Sequence, residues 1–172
     1  LLTHLLLVTL RGWRNVRDIR WRFVVNHLGL LIAIGAACWG APDREELRAV
    51  VEYDKATTEA YDSNGAMRVL DKEMQLEDFE VEYYDNGTPE RYEARVRIGE
   101  EEATIRVNKP YNISLSESAY LVSYDTQSPD ECRYCIVEVV REPWRYAIAS
   151  GIVLMLVGAV MMFLGRTTRI KS

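Results

Sequence analysis

From Phe23 to Gly40 the chain reads FVVNHLGLLIAIGAACWG, eighteen residues with no charged side chain apart from any proton held by His27. At ~1.5 Å per residue a helix of that length reaches ~27 Å, close to the ~30 Å of a bilayer's hydrocarbon core. The run predicts a transmembrane helix over residues 23–40. His27 lies about one turn inside it, where an ionisable ring is costly unless it faces protein, water or a ligand; it is therefore the candidate functional residue. The alternative is that the ring only hydrogen-bonds a neighbouring helix.

Charge patterning supplies the topology. The mean hydropathy of −0.16 averages two different materials. Residues 41–145 hold 25 Asp and Glu against 13 Lys and Arg, a net charge of about −12, whereas the flanks hold 8 basic residues and only Asp18. Residues 11–22, RGWRNVRDIRWR, carry five arginines and two tryptophans. That composition predicts a cytoplasmic loop with interfacial aromatic anchors. A second uncharged run, YAIASGIVLMLVGAVMMFLG over residues 146–165, is followed by Arg166, Arg169 and Lys171. It predicts another span, with residues 166–172 as a cytoplasmic tail and 41–145 on the opposite side, Trp39, Trp144 and Tyr146 marking that interface. Residues 1–10, LLTHLLLVTL, lack the basic start and small-residue cleavage site of a signal peptide and read as the exit end of a truncated transmembrane helix, with a further membrane segment upstream. The role of His4 within it stays open.

Small residues recur in both complete runs. Gly29, Ala33 and Ala37 are spaced by four, and Ala147, Gly151, Gly158 and Gly165 form a stripe in the second run, a pattern that lets helix backbones approach closely. At 100° per residue His27 lies ~200° round from Gly29, which points it away from the stripe.

Between the runs, Ala41-Pro42-Asp43 ends a helix and REELRAVVEY is expected to form a short amphipathic helix with Leu47, Val50 and Val51 on one side. A turn is expected at Asp62-Ser63-Asn64-Gly65. Beyond it the period becomes two: Leu76, Phe79, Val81 and Tyr83 lead to a tight turn at Asp85-Asn86-Gly87, and Tyr92, Ala94, Val96 and Ile98 return as the second arm of a hairpin. Residues 103–107, 119–124 and 134–140 are further strand candidates. The fold class is integral-membrane α-helical spans flanking an antiparallel β-rich extracytoplasmic domain.

Several chemistries are excluded. With only His4 and His27 available, no Ser-His-Asp or Cys-His set can be assembled, and no glycine-rich phosphate loop is present. The arginines of residues 11–22 follow from topology and do not indicate nucleic acid. Cys132-Arg133-Tyr134-Cys135 has the spacing of a redox motif, yet it opens a strand where a thioredoxin-type pair opens a helix, and no second cysteine pair or histidine completes a zinc site. A structural disulfide or inert thiols are the plainer alternatives. Cys38 reads as packing.

The segments Trp21-Arg22-Phe23-Val24-Val25-Asn26-His27-Leu28-Gly29-Leu30, Trp39-Gly40-Ala41-Pro42-Asp43, Tyr83-Tyr84-Asp85-Asn86-Gly87-Thr88-Pro89, Val107-Asn108-Lys109-Pro110 and Val139-Val140-Arg141-Glu142-Pro143-Trp144 together resemble the ResB, or CcsB, family of cytochrome c biogenesis proteins. The resemblance runs from about Arg11 to Gly165. It implies a multi-pass protein of the bacterial cytoplasmic (inner) membrane with a large domain outside, working with a ResC/CcsA-type membrane subunit, apocytochrome c and a thioredoxin-like thiol reductant. It further implies a non-catalytic or shared-site subunit of a System II holocytochrome c synthase complex, which moves haem b as cargo across the membrane for attachment to apocytochrome c. The family's intramembrane haem-iron axial ligand falls on His27. The chain departs from the family in lacking the first span and most of the second, and a tryptophan-rich haem-handling loop and an external histidine pair are assigned by the resemblance to the partner. A reading from a different class is a membrane-anchored scaffold or receptor whose β-rich ectodomain binds a periplasmic protein without haem.

Overall fold

Alternation of apolar and charged side chains dictates the middle of the chain. The computed structural model describes residues 1–13, 20–126 and 132–167, with side chains for 1–11, 21–126 and 132–164. Residues 14–19 of the expected basic loop, the tail residues Arg169 and Lys171, and the side chain of Arg166 lie outside the described set. Residues 44–142 form one compact unit and the helices form another.

The first unit is a single antiparallel sheet of β1 (Glu45–Glu52), β2 (Thr57–Tyr61), β3 (Met67–Tyr83), β4 (Pro89–Ile98), β5 (Glu101–Arg106), β6 (Tyr111–Asn112), β7 (Glu117–Tyr124) and β8 (Tyr134–Arg141). Its order, β5-β4-β3-β2-β1-β8-β7-β6, joins two meanders through pairing of the first and last strands. That pairing is continuous from Glu45 opposite Arg141 to Glu52 opposite Tyr134. The sheet curls, bringing β5 towards β6 and β7, and Tyr111 Oη donates to Glu101 at 3.1 Å across the gap. Inward-facing Leu47, Ala49, Val51, Leu76, Val96, Ile105, Val137 and Val139 fill the interior, each at most 2% exposed. At about 25 cal/mol per Å² of apolar surface removed from water, this alternating interior is the main stabilising term.

The expected hairpin is present as β3 and β4. Gly87 takes φ 79°, the left-handed geometry its turn demands, and Asn86 Oδ1 accepts from the Thr88 amide at 3.0 Å. The expected turn at residues 62–65 joins β2 to β3, with Asp62 Oδ1 accepting from the amides of Asn64 and Ala66, each at 2.9 Å. The segment REELRAVVEY is a correction: it forms strand β1, not a helix. Leu47, Ala49 and Val51 point inward and Val50 outward. The segment satisfies both periods, and pairing with β8 on one side and β2 on the other decides between them.

The helical unit comprises α1 (Leu2–Trp13), α2 (Arg20–Gly40) and α3 (Arg145–Thr167). A short 3-10 turn over Ala41–Asp43 ends α2 at Pro42. The helices α2 and α3 are both long and apolar enough to cross a membrane. Next to α2 lies α1 on one side and α3 on another.

Candidate functional site

The helix that carries the candidate histidine, α2, packs against α3 along a seam. Gly29 and Gly151 lie at a close backbone crossing: a Cβ on Gly151 would fall 2.5 Å from the Ala33 nitrogen and 2.8 Å from the Gly29 oxygen. A Cβ on Gly29 would collide with the Met155 nitrogen. Only glycine permits this approach. One end of the seam is closed by Gly40 against the Trp144 ring, and Trp144 Nε1 donates to Asp43 Oδ2 at 2.6 Å.

Towards the other end, Asn26 Nδ2 donates to the Met155 carbonyl at 2.9 Å. Gly158 makes room for that contact, since a Cβ there would lie 2.5 Å from the Asn26 nitrogen and 2.8 Å from its Cβ. Interhelical bonds of this kind contribute about 0.6–2 kcal/mol between apolar helices. Sequence reasoning passed over Asn26. The available signal was a side-chain amide in an otherwise apolar run, which needs a partner wherever water is excluded.

His27 follows Asn26 and lies ~100° further round the helix. Its ring packs on Phe23 with centroids 3.7 Å apart, and Nδ1 lies 3.0 Å from the Phe23 carbonyl. A carbonyl only accepts, so Nδ1 carries a proton, which leaves Nε2 as the nitrogen available to a ligand. Among the described residues no hydrogen-bond partner meets Nε2. A fixed tautomer with a backbone-anchored Nδ1–H and an open Nε2 is the arrangement found where imidazole ligates a metal. An imidazole nitrogen of this kind could serve as a ligand to a haem iron. No group of three or more His, Cys, Asp or Glu among the described residues is placed to hold a metal ion. His4 is exposed on α1.

The small-residue expectation holds for Gly29, Ala33, Gly151 and Gly158 and is corrected at Ala37, which is exposed. Spacing by four advances ~40° each time, so Ala37 has drifted ~80° from Gly29, while Gly40 returns to the seam. Cys38, expected to pack, is also exposed on the helical unit.

In the sheet unit Cys132 and Cys135 are both free and buried. Cys132 Sγ donates to the Tyr134 carbonyl at 3.2 Å. Burial pushes the Cys132 thiol up and drives that of Cys135 up to about 12. Thiolate chemistry requires the opposite shift, so the pair has the character of inert core thiols. Arg141 is the other concentrated feature, held by Glu117 at 2.5 Å, Asp71 at 3.1 Å and Glu45 at 3.5 Å. These carboxylates raise its pKa against the opposing effect of burial. Every charge in the cluster is paired within it, which marks a brace for the sheet and no reactive centre.

The family model described as the ResB-like family matches residues 19–137, more than two thirds of the chain. Among solved structures, the chain is similar to one titled Cytochrome c Heme Lyase CcmF, with 13% sequence identity and a TM-score of 0.58. The alignment covers 93% of this chain and 28% of that one. At that identity the likeness concerns the fold alone, and this chain spans less than a third of the other's length. No curated protein matches the sequence.

Proposed function

The chain belongs to the ResB-like family, and from that premise we propose that it is the B-type membrane subunit of a System II cytochrome c maturation complex in the bacterial cytoplasmic membrane. In this reading α2 and α3 span the bilayer, the acidic sheet unit lies outside, and the basic residues flanking the helices lie inside. Haem b is cargo. His27 takes its iron through Nε2 near the cytoplasmic face, and a ResC/CcsA-type subunit completes the site and passes haem outward for attachment to apocytochrome c. A thioredoxin-like protein would keep the apocytochrome thiols reduced, since Cys132 and Cys135 are too deeply buried and too weakly acidic for that task.

One observation carries this reading: the Nδ1–H of His27 is anchored on Phe23 and no described residue hydrogen-bonds its Nε2, within a helix where an ionisable ring is costly. A solved structure titled as a haem lyase shares the fold. The test is made in cells. A strain carrying His27→Ala in place of the native chain should accumulate much less covalently bound haem on its c-type cytochromes at equal membrane content of the protein. Unchanged covalent haem at normal expression would remove the proposal.

The scaffold reading draws on a different surface. Val50, Tyr61, Met67 and Val69 are each more than 40% exposed on the outward side of β1 to β3. A protein-binding face there is compatible with the haem reading as well as with a haem-free receptor.

A further inference from the structure

We propose that Asn26 and Gly158 form a positioning device that fixes the rotation of α2 and so aims the His27 imidazole at its ligand; this rests on the haem reading of His27. Asn26 anchors the face of α2 next to the one bearing the imidazole, by donating to the Met155 carbonyl of α3 at 2.9 Å. Gly158 is what lets it reach, because any side chain there meets the Asn26 backbone at 2.5 Å. The glycine contacts at 29 and 151 permit a close approach of the two helices, but two smooth surfaces can roll over one another. A side-chain amide bonded to one particular carbonyl cannot be satisfied at another rotation. Since His27 is the next residue, ~100° round the helix, a rotation of α2 by a few tens of degrees would move Nε2 through several ångströms. The Phe23 contact fixes the ring relative to its own helix, through Nδ1 and through ring packing at 3.7 Å. The Asn26 contact fixes that helix relative to α3. Together they hold Nε2 in place from two directions, which is how ligands to a metal are commonly supported by residues that do not touch it.

The experiment uses the assembled complex purified in detergent, with haem content and the optical and electron paramagnetic spectra read at equal protein. Asn26→Leu keeps the size of the side chain and removes the donor, and Gly158→Ala forces the same contact apart without altering α2. Both should lower haem retention by about tenfold, the scale seen when a supporting residue of a metal ligand is lost. The remaining haem should move from a six-coordinate low-spin to a five-coordinate high-spin spectrum. Added imidazole should return the low-spin spectrum, because a free ligand does not depend on helix rotation. A residue needed only for packing would not give that rescue. His27→Ala separates the two levels of the argument. If it keeps wild-type haem and spectrum, the haem reading itself fails. If it loses haem while Asn26→Leu and Gly158→Ala keep both the amount and the spectrum, only the positioning role fails. Loss of haem in the two seam variants without rescue by imidazole, or loss of the folded complex in both, assigns the seam to assembly alone and overturns the proposal.

Discussion

Cys135 is fully buried in the sheet interior, and desolvation raises its thiol from an ordinary value of 9.0 to about 12. Well below pH 9 the thiol is neutral whether the chain is folded or unfolded. Above that the unfolded chain releases its proton first, so stability declines between pH 9 and about 12, by about 1.4 kcal/mol per pH unit from this group. Burial shifts Tyr53 and Tyr124 in the same direction from 10.0 and extends the decline. Cys135→Ala should therefore show a shallower loss of melting temperature between pH 9 and 11 than the wild type, and parallel slopes would contradict the assignment. Both thiols of the sheet unit should also resist maleimide at neutral pH until the protein is unfolded. The sequence showed the CxxC spacing but not this environment, because the depth of Cys135 is set by its pairing with Tyr124 and Val51 on neighbouring strands. His27 was legible as a lone ionisable group in an apolar run. Its tautomer was not, because that depends on the orientation of the ring toward Phe23.

Among the elements, those whose apolar residues fit only one period were the easiest to read. The β3–β4 hairpin and the two long apolar helices follow from such patterns. The β1 segment fits two periods: Leu47, Val50 and Val51 suit a helix, while Leu47, Ala49 and Val51 suit a strand, and the small Ala49 hides the second pattern. The strand β2, TTEAY, escaped notice because only Ala60 points into the core. Two predictions belong at this scale. Gly151→Leu puts a branched side chain where a single Cβ already lies 2.5 Å from the Ala33 nitrogen, so it should sharply reduce folded yield and crosslinking between α2 and α3. Wild-type yield and crosslinking would mean that the helices do not meet at this seam. In the sheet unit, Arg141→Leu removes a guanidinium that braces β1, β3 and β7 from β8 and leaves the carboxylate of Glu117, 14% exposed, without its partner. A cost of about 1.5–3 kcal/mol is expected. A domain of ~100 residues loses about 4–8 °C in melting temperature per kcal/mol, which scanning calorimetry resolves. A variant that melts with the wild type would make the cluster a surface feature without structural weight.

For the whole molecule, the governing quantity is the separation of charge, about −12 over residues 41–145 against a net basic pair of flanks. If the flanks lie inside, a cysteine at position 86 should react with a membrane-impermeant reagent in intact cells and one at position 167 should not. The reverse pattern would invert the topology. A unit of that charge also attracts a basic partner over a distance. Association with apocytochrome c should then weaken as salt shortens the screening length from ~10 Å at 0.1 M to ~3 Å at 1 M. Salt-independent association would leave the charge with a solubility role only. The central claim remains that His27 ligates haem, and the haem absorption spectrum of the purified complex, measured at equal protein with and without His27→Ala, tests it most directly. The variant should lose most of its haem and regain part of the low-spin spectrum when imidazole takes the place of the missing side chain. Undiminished haem with an unchanged ligation spectrum in the variant would contradict it.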